Sequence, residues 1–528
     1  MSQSLYTVSL YDTLGPSATE YIINHAQLPC VATSLPHIPI LLKLKSKLPS
    51  LKVIISLDRL DSGDLPGHSK HAMLTAMAAD LDVRIYSIQQ IEELGESLGS
   101  PVYHVPGPSD IITINYTSGT TGAPKGVVLT HSAAVAAASG ALLAISQGPT
   151  DCILSYLPLA HIYQRMTEHC SLWAGCAIGY FHGDILSLVD DLKLLRPTVF
   201  TSVPRLYNRF SGAIRAATTA QPGVKGALAR HIVSTKTANF QDADAANATN
   251  KHAFYDRIWG RKVAAALGLD RARCLVSGSA PLDPSLHNFF RAVMGNTFIQ
   301  GYGLTETYAQ GLAQLNNDLS VGNCGAVTPT DEVCLASVPD MDYLVTDQPR
   351  PRGELLMRGN TLFSGYFKND EETKKCMLPD GWFRTGDIAS VDSRGRFQII
   401  DRVKNVLKLA QGEYISPERI ENVYLSHLSF LSQAYVHGDS VQTFLVAIFG
   451  VLPETFAPFA SKVLGQTIAA ADSQAIAAAC KHEKVRTAVV KELDRVGRKN
   501  GFAGYERVRN VYLYLEPFTI DNELLTPT

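Results

Sequence analysis

Ile111-Ile-Thr-Ile-Asn-Tyr116-Thr-Ser-Gly-Thr-Thr-Gly-Ala-Pro-Lys125-Gly-Val-Val-Leu129 decides the reading of this chain. Its first six residues alternate as a strand does. A loop of Gly, Ser and Thr with one Lys follows, then the short apolar run Val127–Leu129. Ser132 stands where an N-cap belongs, ahead of an alanine-rich helical stretch. Glycines let backbone N–H groups approach an anion closely, hydroxyls add donors, and Lys125 supplies positive charge. The loop is not the common NTPase pattern, because Pro124 rather than Gly precedes the lysine.

Outward from this stretch the pattern repeats. Ile153–Leu157, Thr198–Ser202 and Arg273–Ser277 read as further strands with Pro or Gly after them. Helical stretches such as Ile185–Leu195 and Leu286–Val293 lie between. Alternation on this scale predicts an α/β fold with largely parallel sheets. After about Val327 the texture turns β-rich: Gly353–Gly359 reads as a strand, and Trp382–Arg402 as strands around Asp392-Ser-Arg-Gly395. From Val403 a shorter pattern begins, with Pro417–Tyr424 helical and Ala434–Val436 and Phe444–Phe449 extended. The division expected is a large domain over 1–401 and a small α+β domain over 402–528.

Composition narrows the function. Of 528 residues, 46% are hydrophobic and 18% charged, enough apolar material for a large core, and the net charge is −2. No basic excess points to nucleic acid. The N-terminus lacks a secretory pattern, and the apolar stretch Ala133–Ile145 is too short to span a bilayer. Nine scattered cysteines without a CxxC pair suggest a reducing, intracellular compartment and no structural zinc.

Tyr116–Gly126 resembles the phosphate-binding signature of the acyl-adenylate-forming enzymes. Five further segments match that superfamily in order: Leu157-Pro-Leu-Ala-His161, Ser277-Gly-Ser-Ala-Pro281, Gln300-Gly-Tyr-Gly-Leu-Thr-Glu306, Trp382-Phe-Arg-Thr-Gly-Asp387 and Asp401-Arg-Val-Lys-Asn-Val-Leu-Lys408. The resemblance implies a large adenylating domain with a β-rich subdomain, and a mobile small domain turning about Lys404. It also implies roles. Thr117, Ser118, Gly119, Thr120, Thr121, Gly122 and Lys125 would hold pyrophosphate. Gly278, Ser279, Ala280, Tyr302 and Gly303 would bind AMP, with Tyr302 offering its face to adenine. Asp387 and Arg402 would hold ribose. Thr305 would meet the α-phosphate, Glu306 Mg²⁺, His161 the reacting carboxylate, and Lys408 would serve thioester formation. Read alone, His161 and Tyr302 would be ordinary core residues, and Asp387 a turn residue.

About seventy residues lie between Tyr207 and Ser277, including Trp259-Gly-Arg-Lys262. This interval resembles the helical insert of long-chain acyl-CoA synthetases, as do Gly183–Asp191, Val203–Arg209 and Lys408–Glu418. The implied reaction joins a long-chain fatty acid to CoA through acyl-AMP, with ATP and CoA as substrates and Mg²⁺ as cofactor. The alternatives are a ligase for another carboxylic acid, as in secondary metabolism, and a truncated fragment that binds nucleotide or lipid. Leu5–Gly15 resembles a stretch well inside the family's first subdomain, and Asn522–Thr528 stops before its lysine-containing tail, so both ends are expected to be short. Peripheral contact with membrane is expected, at the cytosol-facing ER or the peroxisome, with no obligate protein partner.

Overall fold

The structure is a computed structural model that describes residues 3–11, 15–64, 69–99, 102–117, 124–403, 405, 407–410, 413–439, 441–519, 522 and 524. The chain divides into two compact units: the described residues of Met1–His131, Phe363–Asp370 and Thr519–Thr528, and those of Ser132–Leu362 and Glu371–Phe518.

The first unit carries two sheets. Cys30–Thr33, Val53–Ser56 and Arg84–Ser87 pair in parallel. Thr7–Ser9 pairs in parallel with Ile111–Thr117, which pairs antiparallel with Lys125–Thr130. The expected strand–loop–strand is therefore a hairpin, with Thr117 opposite Lys125 at its mouth. The loop residues Ser118, Gly119, Thr120, Thr121 and Gly122 lie outside the described residues. The helix that follows runs His131–Ile145, so Ser132 is its second residue rather than its N-cap. The strand Lys125–Thr130 runs straight into the helix, so the position before its first residue is Thr130.

The second unit is built on a seven-stranded sheet. Its order is Ala326–Val327, Gly311–Ala313, Thr297–Gly303, Cys274–Ser277, Val199–Ser202, Cys152–Ser155 and Ala177–Tyr180. The last five are parallel and the first two antiparallel. Short β-branched and aromatic runs such as Val199-Phe-Thr-Ser202 are buried along their whole length, as strands covered on both faces must be. One face packs Leu154, Phe200, Leu275 and Phe298 with Tyr207 and Phe290 from flanking helices. The other packs Ile153, Val199, Cys274, Val276 and Ile299. The helices have legible ends. Pro284–Met294 starts at Asp283, whose carboxylate accepts from Ser285 and Leu286, and stops at Gly295 in the left-handed region (φ 64°). The interval between Tyr207 and Ser277 is helical, as Pro204–Ala217, Gly223–Ala238 and a turn-rich return over 253–266. Its buried Lys236 pairs with Asp256.

The β-rich section forms an antiparallel sheet of Asp331–Ala336, Arg352–Gly359, Phe383–Val391 and Phe397–Arg402. Its ladder sets Asp387 opposite Arg402 and Ile388 opposite Asp401. Beyond it, Leu431–His437, Leu445–Val451 and Val508–Tyr514 form a sheet covered by helices, around a core that includes Ile420, Tyr424, Phe449, Phe456, Val489 and Leu493. None of the nine cysteines is in a disulfide. Among the described residues no helix is long and apolar enough to cross a membrane.

Candidate active site

Four segments reach the same end of the seven-stranded sheet. In open α/β sheets ligands sit outside the carboxyl ends of the strands. Ser277-Gly278-Ser279 leaves the strand Cys274–Ser277 there, and Gly301–Thr305 closes the strand Thr297–Gly303. His161 follows the strand Cys152–Ser155 by a short loop. Arg402 ends the strand Phe397–Arg402. All of them line one cavity of about 180 Å³, together with residues of the helices His131–Ile145 and Ile162–Ala174.

Tight backbone contacts shape this end. A Cβ at Gly278 would stand 3.0 Å from the Tyr163 ring, and one at Gly303 only 2.3 Å from the Ala309 carbonyl carbon. Ser279 holds φ at +72°, a conformation unfavourable for a side chain with a Cβ. Thr305 opens a short 3₁₀ turn, whose Thr307 hydroxyl accepts the Leu304 amide at 2.9 Å.

Asp387 is 2% exposed and fully engaged. The Tyr302 hydroxyl donates to its Oδ2 at 2.6 Å, and Arg402 Nε lies 3.1 Å from its Oδ1. Burial pushes the Asp387 carboxyl above the usual carboxylate range, against the pull of the Arg402 charge. Burial, then the Asp387 charge, keeps the Tyr302 phenol protonated. The neighbouring Asp401 behaves differently. Its Oδ1 accepts the Arg402 amide at 2.7 Å, the Ser416 hydroxyl also bonds it, and its buried Oδ2 has no partner. Burial raises this carboxyl to about 7.

His161 caps the helix Ile162–Ala174. Its Nδ1 accepts the Tyr163 amide at 3.2 Å, so the neutral ring carries its proton on Nε2. Burial lowers its pKa from 6.5, which favours that neutral form.

Sequence reading and structure can be compared residue by residue. His161, Gly278, Ser279, Tyr302, Gly303, Thr305 and Arg402 share the cavity, and Asp387 bonds two of them. Ala280 is exposed beside Ser279. Glu306 sits in the Thr305–Thr307 turn, and its charge acts on both Asp387 and Arg402. Lys408 lies in the strand Leu407–Lys408 opposite Tyr414. In the first unit, Lys125 Nζ stands 5.0 Å from the centre of the Tyr366 ring. Lys404 lies outside the described residues. Sequence reading missed the cavity wall: Ile162, Tyr163, Met166, Thr167 and Cys170, which recur on one face of their helix. That spacing is present in the sequence, directly after His161, and could have found them.

Known proteins resemble the chain along its whole length. The model of the AMP-binding enzyme family matches residues 1–367. Over 528 residues, all of this chain and 74% of the other, it is 63% identical to the peroxisomal acyl-CoA ligase 891 of Penicillium brevicompactum. It is 40% identical to the peroxisomal long chain acyl-CoA synthetase 7 of Arabidopsis thaliana, over 99% of this chain and 72% of that protein. Among solved structures, the adenylation domain of a carboxylate reductase from Mycobacterium chelonae superposes with a TM-score of 0.74. At 24% identity over 98% of this chain and 73% of that one, this likeness shows the fold alone. The matched stretch holds the hairpin of Thr117 and Lys125 and most of the cavity, and on these grounds the chain belongs to the AMP-binding enzyme family.

Proposed function

We propose that this chain is an AMP-forming acyl-CoA ligase acting on long-chain fatty acids. The observation that carries the reading is the juxtaposition, in one cavity, of a polar end built from His161, Thr305 and Arg402 with a wall of Ile145, Ile162, Met166, Val276 and Ile299. A carboxylate headgroup and a hydrocarbon tail suit such a cavity. The names of the relatives point the same way.

The reaction has two halves. A carboxylate oxygen attacks the α-phosphorus of ATP and pyrophosphate leaves. The CoA thiol then attacks the acyl carbonyl, gives up its proton, and AMP leaves. Asp387 would accept from the ribose hydroxyls, steadied by Tyr302 and Arg402, and this binding holds the α-phosphorus in line. The Thr305 hydroxyl would donate to the α-phosphate. The His161 Nε2–H would donate to the carboxylate oxygen that stays behind as charge shifts during attack. Gly278 and Gly303 would help bind AMP, with the flat adenine against the Tyr302 ring. Thr117 and Lys125, with the loop between them, would hold the pyrophosphate.

Glu306 would hold Mg²⁺. A half-buried carboxylate beside hydroxyl donors is the hard oxygen environment that ion prefers. When bound, Mg²⁺ neutralises charge on the phosphates. We place a small domain over 402–528, turning about Lys404 between the two halves so that Lys408 serves the second. Peroxisomal residence follows the names of the relatives.

The test is acid-dependent pyrophosphate release from ATP, followed by thioester formation when CoA is added. Palmitic and stearic acids should support both steps. Release that is independent of added acid, or driven only by short or aromatic acids, would overturn the reading.

A further inference from the structure

The acyl cavity has a definite course. His161 follows the strand Cys152–Ser155, and Gln147 precedes it, so the two lining residues stand beyond opposite ends of that strand. The Gln147 end is pinned. Gly148 N–H donates to Asp151 Oδ2 at 3.0 Å. Arg273 grips the same Asp151 at 2.6 Å and caps the helix His131–Ile145 by donating to the Ile145 and Ser146 carbonyls, each at 3.0 Å.

The sheet limits how far a straight chain can run. The lining reaches from Gly303 down to Ile299, level with Val276 in the ladder. Four strand steps span about 13 Å. Below that level Cys274, Val199 and Cys176 pack against Ile145 and fill the space. An extended hydrocarbon advances about 1.3 Å for each bond of about 1.5 Å, so about ten carbons fit before the floor. Palmitic and stearic acids are longer. Their tails must turn at the floor, toward the helix end where Ile145 and Gln147 line the wall. The Gln147 Oε1 there is buried without a hydrogen-bond partner. No bond from that oxygen holds the side chain across the opening, and an unpaired buried oxygen gains by moving out to water. The two helices that line the cavity, His131–Ile145 and Ile162–Ala174, expose Leu143, Leu172 and Trp173.

We propose that Gln147 is the specificity-determining gate of the acyl cavity: short acids end before it, and long ones displace its side chain and pass out beside it. The proposal rests on the ligase reading. It assigns Gln147 no part in the chemistry, so its mark is a change in chain-length preference carried by KM rather than kcat.

The experiment compares the parent chain with Gln147→Phe and Gln147→Ala on octanoic, decanoic, palmitic and stearic acids. It reads kcat and KM for pyrophosphate release, with calorimetric binding of the same acids alongside. The phenylalanine variant should lower the stearic-to-octanoic ratio of kcat/KM by about tenfold or more, as expected when a pocket wall moves by several methylenes. The alanine variant should hold or raise that ratio, and its smaller side chain guards against a folding artefact. The binding ratios should move in parallel. An unchanged ratio in both variants, or an equal loss at every chain length, overturns the gate while leaving the ligase reading intact. A parent chain that binds acids without turning them over defeats the ligase reading alone, and the binding ratios then still decide the gate. A parent that binds none of them overturns both.

Discussion

The corner proposed for ribose and the wall proposed for the acyl chain line one cavity and are built on opposite principles. At the ribose corner Asp387 has both carboxylate oxygens engaged, by Tyr302 and Arg402, although it is 2% exposed. Along the wall the buried Ser277 Oγ and Gln147 Oε1 have no partner, and the Thr167 hydroxyl bonds only the Tyr163 carbonyl of its own helix. A buried charge must be paired, and a paired charge fixes geometry. A hydrocarbon asks for neither, so the wall can tolerate loose polar atoms that a substrate or water covers. The difference predicts that substitutions at the corner act through ATP, strongly, and that substitutions at the wall act through the acid, weakly.

The hardest test is Asp387→Ala. It leaves the Arg402 guanidinium and the Tyr302 hydroxyl without their shared acceptor. Breaking a buried pair by removing one partner costs about 3–5 kcal/mol where both partners are fully buried. Arg402 is half exposed, so the low end or below is expected. The KM for ATP should rise on the order of a hundredfold, with acid binding by calorimetry nearly unchanged. Equal weakening of both substrates would merge the two regions and break the comparison.

His161 stands where the regions meet. His161→Ala removes the Nε2–H donor, and the adenylation rate should fall on the order of tenfold to a hundredfold with little change in the KM of either substrate. The pH dependence has a definite sign. Burial depresses this imidazole, so the unfolded chain takes up a proton before the folded one does. The neutral donor should therefore persist as pH falls past 6.5, and adenylation should decline only below it. A rate that drops at or above 6.5 would mean that burial does not keep the ring neutral as described.

How much of this could be read from sequence depends on what kind of constraint each residue obeys. His161, Gly278, Tyr302, Asp387 and Arg402 were legible only through the resemblance of the short segments that carry them, since alone they read as core or turn residues. Gly278 faces the Tyr163 ring, and Gly303 faces the Ala309 backbone. Strands and helices were legible from period and from caps such as Asp283 and Gly295. What stayed hidden were pairings between distant segments. Nothing local tells that Tyr302 bonds Asp387, or that Arg273 clamps Asp151 and the end of the helix His131–Ile145. The wall residues Met166, Thr167 and Cys170 were legible as one face of a helix but not as a cavity wall, since a small or apolar helix face looks the same against a core as against a tail. The helix His131–Ile145 begins two residues earlier than a cap at Ser132 implies, because the strand before it runs straight into it.

Asp401 extends the comparison to stability. Its folded value of about 7 lies above the ordinary 3.8, so between those values the folded chain keeps a proton that the unfolded chain has lost. Stability from this group is greatest at low pH, falls as pH rises through that window, and is level above about 7. Asp387 is raised for the same reason and adds a slope of the same sign. Asp401→Asn should flatten the decline of Tm between mildly acidic and mildly alkaline buffer without abolishing it. A decline as steep as the parent's would show that Asp401 stays ionised, with its second oxygen solvated.

The smallest effect should come from Ser277→Ala, and its sign should be reversed. Ser277 is fully buried at the end of its strand, and its hydroxyl has no partner. Replacing the hydroxyl by hydrogen removes an unpaired polar atom and leaves little space, so the change should be neutral or stabilising by up to about 1 kcal/mol. Tm should hold or rise by a few degrees at most. The KM for ATP should stay within about twofold, because a wall residue makes no contact that the transition state strengthens. A tenfold or greater loss in adenylation would show that the hydroxyl is unpaired only until substrate arrives, which would move Ser277 from the acyl wall to the reacting end.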